Sequence, residues 1–315
     1  MRALYKNDTG VSVSQVQKPC VMNDHDVIIR VALSGICRTD VFAAEGRVRT
    51  IPHLVLGHEF SGIVEDVGDV AQQRVSVGDR VTVMPIMACG ACGLCAQGRT
   101  DICQSVSMLG IDLDGSFGEY VRVPASAVYR MPDTMSFRYG AYAEPVAAAL
   151  SVLDAGLDPS QKGMIYGDNR FGHLIHRILK AKGFNHVAIH DDTYGHPVAD
   201  NSVDFAIETM ATTEVMRSLM RAVRPQGKIV IKSRKPEAVG IHFADAVRKQ
   251  ITLQAVNYGS FDETLSLLAS GALQVDDLLG DVVALDSYVD VFERSKTHEE
   301  KKTFFGLMGK DVWNC

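Results

Sequence analysis

Four of the chain's seven cysteines lie in one short loop, with the spacing Cys89-x2-Cys92-x2-Cys95-x7-Cys103. Four thiolates can surround one tetrahedral zinc ion at ~2.3 Å, and they leave no coordination position open for a substrate. One bacterial ferredoxin pattern also begins C-x2-C-x2-C, but it continues with a three-residue gap and a proline. Here the last gap is seven residues, so the loop predicts a structural zinc site rather than an iron–sulfur cluster.

A second group of possible metal ligands is spread over three segments. Cys37 lies in GICRTD (residues 35–40), His58 and Glu59 lie in GHEFSG (residues 57–62), and Glu144 opens an alanine-rich stretch. A catalytic zinc uses three protein ligands of mixed type and keeps one position open. Taken singly, each segment also fits a buried cysteine or a surface turn. Together, and beside a four-cysteine loop, they indicate a catalytic metal centre.

The elements that must hold these residues change character along the chain. Short alternating runs, such as residues 26–33 and 80–84, are separated by turn residues, and residues 77–81 and 115–121 each look like a turn leading into a strand. This pattern predicts a compact β-barrel. From Tyr139 onward, helical and strand patterns alternate. We predict helices at 141–150, 171–182, 214–223 and 261–270, and strands at 164–166, 186–190, 203–207, 228–232 and 251–256. Such alternation implies βαβ units around a parallel sheet.

Composition excludes several classes of function. The net charge is −6 and there is no basic block, which argues against nucleic acid or an anionic membrane surface as a partner. No apolar run approaches the ~20 residues of a bilayer span, and the N-terminus lacks the apolar region of a secretory signal. Clustered cysteines in a reducing compartment more often hold a metal than form disulfides. We therefore expect a cytoplasmic protein without a membrane partner.

These motifs, in this order, together with VGDRV (residues 77–81) and AEPVA (residues 143–147), resemble the zinc-containing medium-chain alcohol and polyol dehydrogenases. The AEP motif is more similar to the sorbitol and threonine dehydrogenase branch than to the branch with a cysteine there. The resemblance implies an α/β protein with an N-terminal GroES-like β-barrel catalytic domain (1–147). A shortened Rossmann domain with a doubly wound parallel sheet (148–258) and a C-terminal return to the catalytic domain (259–315) would follow.

The resemblance also assigns roles. Cys37 and His58 would ligate the catalytic zinc, and Glu59 and Glu144 would each serve as third ligand or hold the zinc-bound water. Asp40 would orient His58. Thr39 would sit beside the substrate oxygen and pass its proton to solvent, while hydride moves between the carbinol carbon and the nicotinamide. Relatives often carry a histidine shortly after this threonine; here the sequence is VFAA (residues 41–44), so the proton path is shorter or uses water.

The expected dinucleotide-binding loop is irregular. After the strand at 164–166 the sequence reads GDNRFG, with Gly167 and Gly172 in the first and sixth places of the fingerprint but Asn169 in the third. The third-place glycine lets the backbone approach the pyrophosphate, so a side chain there should crowd the cofactor. Arg170 is a candidate phosphate contact or a surface residue. Arg38 would reach the pyrophosphate from the barrel side, as the equivalent residue does in some relatives.

Asp191 lies ~20 residues further on, where the ribose-binding acid belongs, and there it would favour NAD over NADP. Asp192 is a near alternative for this role. Asp191 also fits the purely structural role of an N-cap or turn aspartate. Between Asp191 and the strand at Val203 there is room only for a loop, Thr193–Val198, where a full Rossmann half has a helix and a strand.

We therefore predict a zinc-dependent dehydrogenase with two zinc ions per chain, acting on a secondary alcohol or ketone such as a polyol, cyclitol or amino alcohol. Family analogy implies a homodimer or homotetramer. The irregular loop and the short segment favour an alternative, a non-redox zinc lyase or hydrolase. A non-catalytic binding relative is the third possibility.

Overall fold

The computed structural model describes residues 1–191, 198–297, 301–309 and 312. The strands in chain order are β1 (Arg2–Asn7), β2 (Gly10–Gln15), β3 (Asp26–Gly35), β4 (Leu54–Val55), β5 (Glu59–Val67), β6 (Arg80–Val83), β7 (Ile86–Met87), β8 (Ser107–Met108), β9 (Tyr120–Pro124), β10 (Val128–Arg130), β11 (Gly163–Tyr166), β12 (Val187–His190), β13 (Val203–Glu208), β14 (Val223–Ile231), β15 (Thr252–Ala255), β16 (Leu279–Val283) and β17 (Lys302–Gly306). The helices are α1 (Arg38–Ala44), α2 (Gly93–Ala96), α3 (Phe137–Ala141), α4 (Ala143–Leu150), α5 (Arg170–Ala181), α6 (Thr213–Ala222), α7 (Phe243–Lys249), α8 (Phe261–Ala269) and α9 (Tyr288–Thr297).

The chain forms two compact units. Unit 1 contains residues 1–144, 261–269 and 276–315, and unit 2 contains residues 145–260 and 270–275.

Unit 1 is built around a seven-stranded sheet with the order β10-β6-β5-β3-β17-β16, and β9 also pairs with β3. Strand β3 is antiparallel to β5, to β9 and to β17, so it fixes the register of three partners. Nearly every residue of β3 is buried, and most of its side chains are apolar. Smaller sheets, β2-β1-β4 and β7-β8, complete the β structure of this unit.

Unit 2 contains a parallel sheet with the order β12-β11-β13-β14-β15. This order matches the doubly wound order 3-2-1-4-5-6 without its outermost strand 3, as far as the described residues extend. Helix α6 places Val215, Met216, Leu219 and Met220 against the sheet residues Met164, Ala206 and Ile229. The side chain of Lys249, at the end of α7, is buried and donates to the carbonyls of Met220, Arg221 and Val223 at 2.8–2.9 Å.

The α/β class, the mainly β first part and the parallel sheet are as predicted. The turn predicted at 115–121 leads into a strand as expected: Gly115, Ser116 and Phe117 donate to the carbonyls of residues 55–57 outside a regular ladder, and β9 begins at Tyr120. One local prediction was wrong. The helix predicted at 141–150 is interrupted at Tyr142, which separates α3 from α4.

The loop predicted at Thr193–Val198 and the alternative acid Asp192 lie outside the described residues, apart from Val198. Within the described ranges, no helix is long and apolar enough to cross a bilayer.

Candidate functional site

Adjacent strands bring together the second group of possible metal ligands. Cys37 follows β3 as the N-cap of α1, and Glu59 begins β5 directly after His58. Because Gly35 pairs with Glu59 in the antiparallel register, the ends of β3 and β5 meet. A thiol sulfur, an imidazole nitrogen and a carboxylate oxygen of Cys37, His58 and Glu59 all lie within 4.8 Å of one another.

Asp40 fixes two members of this group. Its Oδ1 lies 3.1 Å from His58 Nδ1, and its Oδ2 accepts a hydrogen bond of 2.9 Å from the backbone N–H of Cys37. Both Asp40 and His58 are fully buried. Burial alone lowers the pKa of His58, but the Asp40 carboxylate and the Cys37 thiol outweigh burial and raise that pKa well above 6.5. The imidazole therefore has a defined orientation, with Nδ1 turned toward Asp40.

The opposite nitrogen of His58 supports the assignment of a metal site. Nε2 is buried and has no hydrogen-bond partner among the described residues. An unpartnered buried polar atom is costly, whereas a coordinated metal would satisfy it. Sulfur, nitrogen and oxygen donors of this kind suit zinc with one position left open. The residues present thus fit a catalytic zinc ion.

Lys302, which the sequence analysis missed, is part of this centre. Its Nζ donates to Glu59 Oε1 at 2.9 Å and to the Ile36 carbonyl at 2.7 Å, and it lies 2.6 Å from Glu59 Oε2. Both side chains are almost fully buried, at 1% and 2% exposure. A Cβ on Gly35 would lie 2.7 Å from Glu59 Oε2, so the pair needs a glycine there. The only sign of this role in the sequence is that Lys302 begins a largely apolar strand, KTFFG.

The other two predicted residues of this centre are placed differently. The Thr39 hydroxyl lies 3.6 Å from Cys37 Sγ, beside the ligand group. Glu144 is buried in the first turn of α4 but is not one of the three residues whose ligand atoms lie within 4.8 Å of one another. Of the two glutamates that the sequence left as alternatives, the structure places Glu59 with Cys37 and His58.

The four cysteines of the loop also converge. The Sγ–Sγ separations of the four pairs 89–95, 92–95, 92–103 and 89–103 are 3.4–4.0 Å. A tetrahedron with metal–sulfur distances of ~2.3 Å has sulfur edges of ~3.8 Å, so the spacing fits zinc. Backbone N–H donors lower the pKa of Cys92 to about 6, while lost hydration and neighbouring thiols raise the pKa of Cys95 to about 12. Thiolates this close repel one another, and a bound cation would remove the repulsion.

In unit 2, the loop after β11 has Asn169 as the N-cap of α5. Its Oδ1 accepts from the N–H of Gly172 at 3.0 Å, and its Nδ2 donates to Thr209 Oγ1 at 2.9 Å. Gly167 has φ +123°, and a Cβ there would lie 2.2 Å from Thr209 Oγ1. The loop is therefore tightly packed around the amide of Asn169.

Three further predicted cofactor residues are divided between the two units. Arg170 is the first residue of α5 and is buried, and Asp191 directly follows β12. Both belong to unit 2. Arg38 belongs to unit 1, where it lines a cavity of about 210 Å³ with Val41, Phe42, Arg47, Ser295 and Lys296.

Comparisons with known proteins agree with this architecture. Residues 23–133 match the family described as the alcohol dehydrogenase GroES-like domain. An alcohol dehydrogenase of Geobacillus stearothermophilus is 28% identical over 90% of this chain and 92% of its own length. An L-threonine 3-dehydrogenase of Pyrococcus furiosus is 27% identical over 96% of this chain and 97% of its own length.

A solved structure is similar over nearly the whole length. It is a candidate zinc-binding dehydrogenase from Sinorhizobium meliloti 1021, bound to NADP, with a TM-score of 0.88 and 26% identity. The alignment covers 97% of this chain and 98% of that one.

Proposed function

We propose that this chain is a zinc-dependent oxidoreductase transferring hydride between a secondary alcohol and NAD(P), and its similarity to zinc-containing medium-chain alcohol and polyol dehydrogenases supports the proposal. The buried group of Cys37, His58 and Glu59 carries the proposal. It offers three donors of different chemistry, and one of them, His58 Nε2, has no other partner in the described chain. A binding protein has no need for such a centre.

In this proposal Cys37, His58 and Glu59 hold the catalytic ion, and the four-cysteine loop holds a structural one. When bound, zinc supplies Lewis-acid polarisation of the substrate oxygen, and the nicotinamide supplies the hydride acceptor or donor. Asp40 keeps His58 in the orientation that leaves Nε2 available. Lys302 neutralises Glu59 and sets how far that carboxylate can move.

Proton transfer falls to Thr39. Its Oγ1 accepts the proton of the substrate hydroxyl and passes its own proton toward solvent, an assignment supported by the 3.6 Å separation from Cys37 Sγ. Relatives often have a histidine shortly after this threonine, whereas residues 41–44 are VFAA, and none of these side chains can accept or donate a proton. We therefore assign the next step of the relay to water.

Unit 1 would be the catalytic domain and unit 2 the nucleotide-binding domain. The dinucleotide would lie at the carboxyl ends of β11 and β12, with its pyrophosphate at the loop containing Gly167 and Arg170 and its ribose at Asp191. An acid at Asp191 favours NAD, since it would repel a 2′-phosphate.

We also propose a homodimer or homotetramer in the cytoplasm, with a polyol, cyclitol or amino alcohol as substrate. The location rests on the clustered cysteines, which hold metal in a reducing compartment.

The deciding experiment titrates the zinc-loaded protein with NADH and with NADPH in a calorimeter. Saturable binding of NADH, tighter than that of NADPH, supports the dehydrogenase and the role of Asp191. Absence of binding by both cofactors at millimolar concentration would contradict the redox proposal and leave the zinc lyase or hydrolase.

A further inference from the structure

The start of helix α5 already has one of its free backbone donors satisfied by the protein itself. Asn169 has extended backbone angles (φ −142°, ψ 166°), and its Oδ1 accepts from the N–H of Gly172 at 3.0 Å. The first N–H groups of a helix have no partner within the helix, which is why they bind phosphates. Here one of these groups, the N–H of Gly172, already donates to an amide oxygen of the protein.

The amide of Asn169 is held at both ends. Its Nδ2 donates to Thr209 Oγ1 at 2.9 Å, and the Thr209 hydroxyl donates to the carbonyl of Tyr166 at 2.9 Å. Tyr166 ends β11, and Thr209 directly follows β13. Gly167 packs against the same group, because a Cβ on it would lie 2.6 Å from Asn169 Nδ2. The side chain therefore belongs to a fixed network joining two strand ends to the helix.

We propose that Asn169, held by Gly172 and Thr209, is an affinity-determining latch that opposes binding of the dinucleotide's pyrophosphate. To bind, the pyrophosphate must displace the amide from the N–H of Gly172. The chain thus binds its cofactor more weakly than it would with glycine at position 169. This inference rests on the proposed function, since it concerns the same cofactor loop.

The test is calorimetric binding to the wild-type protein and to Asn169→Gly, with NADH, ADP-ribose and adenosine as probes. ADP-ribose retains the pyrophosphate without the nicotinamide, and adenosine lacks the pyrophosphate. Asn169→Gly should tighten NADH and ADP-ribose binding by about five- to tenfold, the equivalent of one neutral hydrogen bond. Adenosine affinity should be unchanged.

Two further variants separate the latch from a change in folding. Thr209→Val keeps Asn169 but removes the partner of its Nδ2, and should tighten ADP-ribose binding by a smaller factor. Asn169→Asp retains the acceptor for Gly172 and adds a negative charge, and should weaken ADP-ribose binding. If Asn169→Gly does not fold, the opposite directions expected for these two variants still decide the question.

The outcomes distinguish this inference from the proposed function. If the wild type binds NADH and Asn169→Gly binds it equally or less tightly, the latch is wrong and the dehydrogenase stands. Equal gains for adenosine and ADP-ribose would also overturn it, because the effect would not involve the pyrophosphate. If no variant binds any dinucleotide, both proposals fail together.

Discussion

Lys302 and Glu59 form a buried ion pair beside the candidate catalytic metal centre, with Nζ 2.9 Å from Oε1 and both side chains at most 2% exposed. The lysine also donates to the carbonyl of Ile36, directly before Cys37. One cation therefore contacts a candidate metal ligand and the backbone next to another. The pair connects the architecture of unit 1 with the chemistry of its centre.

In protein without its catalytic ion, replacing Lys302 by methionine should lower the free energy of unfolding by about 3–5 kcal/mol, because Glu59 would be left as an unpaired buried charge. Urea denaturation of the wild type, Lys302→Met, Glu59→Gln and the double variant measures this. The double variant should recover part of the loss, and Lys302→Arg should lose less than Lys302→Met. Additive losses would show that the pair does not act as a unit.

Zinc analysis of Cys37→Ser and Cys103→Ser should show that each variant loses a different one of the two expected ions. Cys37→Ser should abolish turnover and change the unfolding temperature little, since it removes one ligand of an open site. Cys103→Ser should lower the unfolding temperature markedly, because binding energy at a structural zinc is folding energy. Retention of both ions by either variant contradicts the assignment of that cysteine as a ligand.

Asp40→Asn should weaken catalytic zinc about 10- to 100-fold, because the partner of His58 Nδ1 loses its charge. Competition with a chelator measures the affinity of this ion separately from the four-cysteine site. Asp69→Asn, at an exposed position of the same unit, is the matched control and should behave as wild type. Equal zinc affinity in both variants would show that Asp40 only supports the backbone of Cys37.

Thr39→Val should reduce kcat by about 10²- to 10⁴-fold, the usual contribution of general acid–base catalysis, without loss of zinc. Thr39→Ser keeps the hydroxyl and should restore most of the rate. The readout is kcat as a function of pH together with zinc content. A Thr39→Val protein with wild-type kcat would move the proton path elsewhere.

Metal-binding residue types at fixed spacing made much of the two candidate metal sites predictable from the sequence. The four cysteines are close in sequence, so their convergence follows from the loop alone. Cys37 and His58 could be placed together only through the family resemblance, because the register of β3 on β5 is a tertiary property. Most elements of unit 2 followed from alternating strand and helix patterns, with ends shifted by one to five residues, but helix α7 was not predicted.

Lys302 and Thr209 could not be predicted for the same reason. Lys302 reaches Glu59 only because β17 pairs with β3, and a lysine beside Lys301 in the sequence resembles a surface residue. Thr209 meets Asn169 because β13 lies beside β11 in the sheet. The sequence showed that Asn169 departs from the glycine pattern, whereas its role as the cap of Gly172 needed the three-dimensional loop.

Strand β3 pairs with both β5 and β17, and this has a consequence for the order of synthesis. Glu59 and its counter-cation are 243 positions apart in the chain. A nascent chain that has emerged from the ribosome only through β16 contains Cys37, His58 and Glu59 but cannot yet neutralise the glutamate. Since domains tend to fold as they emerge, unit 1 must wait for β17 before its metal centre is complete. A tightly held catalytic ion would therefore mark a chain that has been synthesised at least through β17.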